Sequence, residues 1–493
     1  MSKQNYKVKP IVAIVGRPNV GKSTLFNRIS GTRLAIVEPT PGVTRDRLYA
    51  ECNWFGTEFI LIDTGGLQFK EQAPFVEEIR RQAEFAMEEA DLIVFAVDGK
   101  SGLSHIDYDI ADLLRHTGKP VVLAVNKVES KKRADDALEF YALGLGDPIT
   151  VSALHGQDVD MLLDTIAEML PVKEIVYDDE DDDRLRVAIV GRPNVGKSSL
   201  LNTVIAEDRA IVSDTPGTTR DAIDMDFDWK LPKKKGEQDD ESGDDTIHFT
   251  FTDTAGIRRK SKIDEDVEYY SVVRAFSAID RSDVVLMLIN AEDGVTDQDK
   301  RIAGYAEENG KAMVIAVNKW DALLTKKRYE EGLVEDNRQI TSQMRTQMLE
   351  EFTKDVRHEL IFANWAPVVY ISALKKKGID ELLSSIYEVS HSSNVRISSS
   401  DLNRLVAEAH YEKPASRRGR ALKIYYATQV NVCPPTFVFF VNDSELMHFS
   451  TVRYFENRLR ETFPFEGTPI KIKVKQSSGR EEAEKKSEKR RAK

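Results

Sequence analysis

The chain has 493 residues, 41% of them hydrophobic and 31% charged, with a formal net charge of −12 at pH 7. That length sets an expectation of roughly three domains, and the composition excludes a disordered or fibrous chain. Its two cysteines, Cys52 and Cys433, fit neither a disulfide framework nor a zinc site, and no apolar run approaches the ~18 residues that would cross a bilayer.

The N-terminal MSKQNYKVKP runs straight into an apolar strand with no secretory pattern, so a cytoplasmic protein without stable membrane association is expected. Charge is unevenly placed. From Val395 onward the balance is +8, leaving −20 for everything before it. Such asymmetry points to a polyanion-facing C-terminal end.

In chain order the first elements are the strand IVAIVG, the loop GRPNVGKS at residues 16–23 and an apolar-faced helix. The same eight letters return at 191–198. PTPGVTRD (39–46) matches DTPGTTRD (214–221) at the same offset of 175 residues, which grows to 192 between Asn126 and Asn318 and 220 between Ser152 and Ser372. The chain therefore contains an internal repeat whose second copy carries two insertions. One, KLPKKKGEQDDESGDD (230–245), is charged and nearly free of apolar residues, hence a loop. The other contains RQITSQMRTQMLEEFTKDV, apolar at helical spacing, hence an extra helix.

Within each copy short β-rich runs such as RVAIVG, DVVLMLIN and PVVYISAL alternate with longer amphipathic segments, which predicts a mainly parallel sheet covered by helices. The expected boundaries are 10–172 and 185–392 for the two copies, with an acidic linker at 173–184. A third, smaller unit at 395–475 reads α-β-β-α-β, a small α+β domain, and a charged tail occupies 476–493.

GRPNVGKS fits G-x-x-x-x-G-K-[ST], a phosphate-binding loop. In the first copy it comprises Gly16, Arg17, Pro18, Asn19, Val20, Gly21, Lys22 and Ser23. The second has Gly191, Arg192, Pro193, Asn194, Val195, Gly196, Lys197 and Ser198. The glycines let the backbone wrap phosphate at a helix N-terminus, Lys22 and Lys197 suit the β- and γ-phosphates, and the Ser23 and Ser198 hydroxyls suit Mg²⁺. DTGG (Asp63, Thr64, Gly65, Gly66, then Leu67) and DTAG (Asp253, Thr254, Ala255, Gly256, then Ile257) follow apolar strands. Asp63 and Asp253 would hold Mg²⁺ through its water shell. Thr44 and Thr219 are candidates to close over that ion when a γ-phosphate is present.

The base is read from NKVE (Asn126, Lys127, Val128, Glu129) and NKWD (Asn318, Lys319, Trp320, Asp321). In N-K-x-D the carboxylate accepts two hydrogen bonds from guanine that adenine cannot supply, and an unpaired buried acceptor costs about 1–3 kcal/mol. Asp321 fits this pattern, while Glu129 departs from it by one methylene. Ser152, Ala153 and Leu154, with Ser372, Ala373 and Leu374, would hold the guanine O6 through backbone N–H groups. GTP and GDP are the expected ligands, at two sites.

These motifs, twice over and followed by a small basic domain, resemble the EngA (Der) family of tandem bacterial GTPases over residues ~10–475. The resemblance implies two P-loop GTPase domains plus a KH-like C-terminal domain, and a role as a monomeric switch in assembly of the large (50S) ribosomal subunit. Its partners would then be the subunit precursor and rRNA rather than DNA. It also implies that Asn19 and Asn194 help hold K⁺ against the phosphates, making slow hydrolysis K⁺-stimulated. That fits Leu67 and Ile257, apolar residues where many GTPases position water with glutamine. No GxxG loop occurs in 395–475, so RNA gripping of the usual KH kind is not expected. The alternative is an RNA-binding scaffold in which one module holds nucleotide without turnover.

Overall fold

The computed structural model describes residues 6–31, 49–66, 80, 83–84, 86–129, 135–171, 174–175, 184–205, 210–212, 224–230, 246–252, 268–323, 342–414, 416–417 and 420–477. The acidic run at 176–183, the insertion at 231–245, Thr44, Leu67, Thr219, residues 253–257 and the tail beyond 477 lie outside the described residues. Two compact units result, one built on the first repeat and one on the second repeat with the C-terminal domain.

The first module holds strands β1 (Ile11–Val15), β2 (Tyr49–Trp54), β3 (Thr57–Asp63), β4 (Leu92–Asp98), β5 (Val121–Asn126) and β6 (Ile149–Thr150) in the order β2-β3-β1-β4-β5-β6. Only the β2–β3 hairpin is antiparallel. Every residue of β1 and β4 is buried, as expected for parallel strands covered on both faces. Helices α1 (Lys22–Gly31), α2 (His105–Arg115) and α3 (Val159–Met169) supply the cover. Leu25, Phe26, Leu162 and Ile166 pack on one sheet face with Val12, Ile14, Val94 and Ala124.

The second module repeats this plan with β7 (Leu185–Val190), β8 (Ala210–Val212), β9 (Met225–Lys230), β10 (Thr246–Thr252), β11 (Val284–Asn290), β12 (Ala312–Asn318) and β13 (Val368–Ile371), ordered β8-β9-β10-β7-β11-β12-β13. The helices that follow in chain order are α4 (Lys197–Ile205), α5 (Glu268–Asp280, which belongs to the first compact unit), α6 (Asp297–Glu308), α7 (Ser342–Glu359) and α8 (Ile379–Ser393). Helix α7 is the apolar-periodic insertion and has no α-helical counterpart among the described residues of the first module. Aromatic packing is heavier in this core. Phe227 stacks on Phe249 at 5.1 Å, and Trp229 meets Phe249 edge-on.

The third domain follows the expected α-β-β-α-β order: α9 (Ser399–Glu412), β14 (Ile424–Asn431), β15 (Thr436–Val441), α10 (Phe449–Thr462) and β16 (Lys471–Gln476). Strands β14 and β15 are antiparallel, β15 and β16 parallel. Ala427, Phe437, Phe439 and Val441 meet Leu402, Val406, Phe455 and Leu459 from the helices in one core. Within the second unit this domain is bonded to the second module. Met313 N–H donates to Gly467 O at 2.8 Å, Gly467 N–H to Trp365 O at 3.0 Å, and Lys471 Nζ to Glu308 O at 2.8 Å.

Phe439 is fully buried and packs against Phe455 at 5.2 Å. Its replacement by alanine leaves a cavity costing about 3–5 kcal/mol, so urea melts of Phe439→Ala should show early loss of the C-terminal domain's transition while nucleotide binding persists.

Candidate functional site

Each phosphate-loop motif lies between the first strand of its sheet and the helix that follows, where α1 begins at Lys22 and α4 at Lys197. The glycines are required by their surroundings. Gly16 and Gly191 adopt φ of +154° and +140°, and a Cβ on either would collide with the Ala96 or Leu288 carbonyl of the adjacent strand. Gly21 and Gly196, at +95° and +104°, lie against the side-chain amides of Asn126 and Asn318. Asn19 and Asn194 turn the loop apex in the left-handed region, at +67° and +64°, which asparagine tolerates better than most residues.

Lys22 folds back along its own loop, its Nζ donating to Gly16 O at 2.6 Å and Arg17 O at 3.1 Å. Lys197 does the same to Gly191 O and Arg192 O, both at 2.6 Å. Asp63 is 1% exposed at the end of β3, its Oδ1 accepting from Gly65 N–H at 2.9 Å. A Cβ on Gly65 would stand 2.5 Å from Lys22 Cε and 3.2 Å from Asp63 Oδ1. The loop lysine and the buried carboxylate thus converge on Gly65. Thr64 is fully buried and donates to Ile14 O at 2.6 Å. Ser23 and Ser198 are exposed on the first helical turn.

The base-reading loops are tied to the phosphate loops by asparagine. Asn126 Nδ2 donates to Val20 O at 2.8 Å, and its Oδ1 accepts from Ala153 N–H at 3.0 Å. Asn318 repeats this on Val195 O at 2.8 Å and Ala373 N–H at 3.1 Å. One buried amide in each module therefore joins three sequence-distant motifs. Lys127 and Lys319, both at positive φ, reach the carbonyls of Asn19 and Asn194. Arg28 Nε donates to Ala153 O at 2.9 Å, and its repeat partner Thr203 gives its hydroxyl to Ala373 O at 2.8 Å. Leu154 and Leu374 are 65% and 89% exposed.

Two features were missed by sequence reasoning. Arg17 and Arg192 belong to the phosphate loops, but their side chains leave them. Arg17 Nε meets Asp107 and Arg192 Nε meets Asp299, each at 3.2 Å. Both aspartates are fully buried and accept from the backbone N–H of Ser104 or Thr296 at the start of α2 or α6. Burial pushes the Asp299 carboxyl above its ordinary value, against the bonds from Thr296 and Arg192. The available signal was S-x-x-D and T-x-x-D, a capping pattern, before two matched helices.

The second feature distinguishes the modules. Lys127 Nζ also lies 2.7 Å from Asp98 Oδ2. The equivalent residue is Asn290, and among the described residues no carboxylate pairs with Lys319. Burial works to raise the Asp98 pKa, but the Lys127 bond and the Lys100 and Ser101 N–H groups outweigh it and hold the carboxyl below its ordinary range. At the base acids the partners differ as well. Asp321 lies 2.7 Å from Lys375 Nζ, whereas Glu129 is 3.9 Å from His155 Nε2. Burial of Asp321 is outweighed by bonds from Lys375 and Ser372, which depress its pKa.

A mainly parallel sheet carrying a glycine loop into a helix, with an N-K-x-[DE] loop after a later strand, defines a P-loop GTPase module, and the chain contains it twice. The strand-end aspartate is seen as Asp63 in the first module and is read from the sequence as Asp253 in the second. The family model described as "50S ribosome-binding GTPase" matches residues 11–127 and 186–319, and the one described as "KH-domain-like of EngA bacterial GTPase enzymes, C-terminal" matches 396–475. GTPase Der of Alkaliphilus oremlandii is 48% identical over 474 residues, 96% of this chain and all of that protein. The Desulfitobacterium hafniense and Streptococcus pyogenes proteins of that name are each 50% identical, covering 95% and 94% of this chain and 98% of their own lengths. The chain belongs to the GTPase Der (EngA) family and is a nucleotide-binding GTPase.

Alanine at Gly21 would have to hold φ of +95° against the Asn126 amide, so Gly21→Ala should weaken GDP binding at the first site by about tenfold or more, read by calorimetry. Asp98→Asn should weaken first-site GDP binding about fivefold, or ~1 kcal/mol, in a chain whose second site is suppressed by Lys197→Ala. Because the folded Asp98 pKa is depressed, its stabilisation is full above pH ~4 and lost as pH falls through the folded value. Thermal melts of Asp98→Asn should lack that part of the acid limb.

Proposed function

We propose that the protein binds guanine nucleotide at both modules and uses GTP hydrolysis as a switch in assembly of the large ribosomal subunit, in the cytoplasm and as a monomer. The observation that carries the two-site reading is the repeated asparagine bridge, which assembles the same loops around the same lysine in each module. The ribosomal role draws on the family model's description and on the basic C-terminal domain, where Lys471, Lys473 and Lys475 lie on one strand. Among the described residues no helix is long and apolar enough to cross a membrane.

In this reading Lys22 and Lys197 exchange their loop carbonyls for the β- and γ-phosphates. Glu129 and Asp321 accept from the guanine edge, so Lys375 must yield to the base. Ser152–Leu154 and Ser372–Leu374 offer backbone N–H groups to O6. Ser23 with Asp63, and Ser198 with Asp253, would hold Mg²⁺, and the buried carboxylate converging with Lys22 at Gly65 suits that ion. When bound, Mg²⁺ neutralises charge on the β- and γ-phosphate oxygens. Thr44 and Thr219 would close over it.

Among the described residues the Asn19 and Asn194 side chains are exposed and bonded to no protein group, so both suit K⁺ as an added ligand. K⁺ there supplies positive charge where other GTPases use arginine. A second reading, in which the first module holds nucleotide without turnover, draws on Glu129 and its distant histidine partner.

Calorimetry should find two GDP sites per chain and no comparable uptake of ADP. Hydrolysis should be slow and faster in K⁺ than in Na⁺. Turnover that persists in Lys197→Ala would exclude a purely structural first module. Co-sedimentation with large subunits should differ between a non-hydrolysable GTP analogue and GDP, and equal weak association in both would remove the switch.

A further inference from the structure

The inserted helix α7 touches one loop of the second base site and the strand that leads into the other. Trp320, between the lysine and aspartate of NKWD, is 5% exposed and packs with Leu349 and Phe352 of α7. Arg345 of the same helix lies over the Trp320 ring at 4.2 Å from its centroid. On the other side α7 is fastened to β13, the strand that enters Ser372–Leu374. The Tyr370 hydroxyl is 2.8 Å from Thr353 Oγ1 and donates to Leu349 O at 2.7 Å, and the Phe352 and Tyr370 rings meet edge-on at 6.3 Å.

The first module solves the same problem differently. Val128 stands where Trp320 does and offers no ring to a cation. Among the described residues between β5 and β6 the helical segment is the 3-10 run Asp135–Leu143. There the reading loop is braced from the opposite side, by Asp98 on Lys127.

We propose that α7 is a brace for guanine recognition in the second module, with Arg345 and Trp320 as positioning residues that set where Asp321 stands relative to Ala373. This rests on the reading of Asp321 as the guanine acceptor. A cation over an indole face contributes about 0.5–2 kcal/mol, rising as the pair is desolvated. Trp320 is desolvated by α7 itself, so the contact couples the helix to its neighbour Asp321. Arg345 is exposed, and its truncation leaves the hydrophobic core intact.

The test compares GDP with IDP, which lacks the exocyclic amino group and so one of the two donors to Asp321. Affinities are measured by calorimetry on the full chain carrying Lys22→Ala to suppress the first site, as parent and with Arg345→Ala or Arg345→Lys. The parent should favour GDP by about tenfold or more. Arg345→Ala should cut that preference about fivefold, and Arg345→Lys, which keeps a cation over the ring, should retain most of it. An unchanged GDP-to-IDP ratio in Arg345→Ala overturns the brace, as does an equal weakening of both nucleotides with a lowered melting temperature. A parent that binds GDP and IDP alike overturns the guanine reading itself, and the brace with it.

Discussion

Everything at each site hangs on one buried side-chain amide. Asn126 and Asn318 are each 2% exposed, and each spends a donor on the phosphate loop and an acceptor on the loop after the last strand. Water has no room to replace either bond, so losing one leaves a desolvated partner at about 1–3 kcal/mol. The glycines at 21 and 196 follow from this constraint, since any Cβ there would displace the amide. The strand order serves the same contact, since Asn126 and Asn318 end strands two places from the first strand of their sheets.

Around that shared centre the two modules diverge in charge. The first reading loop is braced by the Asp98–Lys127 ion pair and carries a glutamate with histidine nearby, while the second carries an aspartate held by lysine and a tryptophan covered by an added helix. Both retain the arginine-to-aspartate tie between the phosphate loop and the next helix. That tie places charge in a desolvated position, where the pair's worth depends on its added backbone bonds. Ser104 and Thr296 provide them. The two modules share the frame and differ in the bracing.

Much of the fold was legible because local patterns and burial agree. Runs such as VVLMLI are apolar throughout, as a doubly covered parallel sheet demands, and all seven residues of Val284–Asn290 are buried. The order of the C-terminal domain and the inserted helix could be read from periodicity. The phosphate and base loops were legible for a different reason: their chemistry needs particular residues at fixed spacing. Arg17 was read as a member of the phosphate loop, and its side chain reaches Asp107, 90 residues away. Asp98, Arg28 and Thr203 were not singled out, since an aspartate after a strand or an arginine on a helix has no distinctive spacing.

By itself the sequence determined that there are two phosphate-loop motifs, a mainly parallel sheet around each and a small α+β domain behind them, because periodicity and motif spacing are local properties of a chain. Only the tertiary structure decided which side chains meet across that spacing: the asparagine bridge, the arginine tie, the carboxylate on Lys127 and the arginine over Trp320. Those contacts join positions from about 25 to more than 120 residues apart. Their geometry exists only once the strands have taken their order in the sheet, and no linear pattern encodes it.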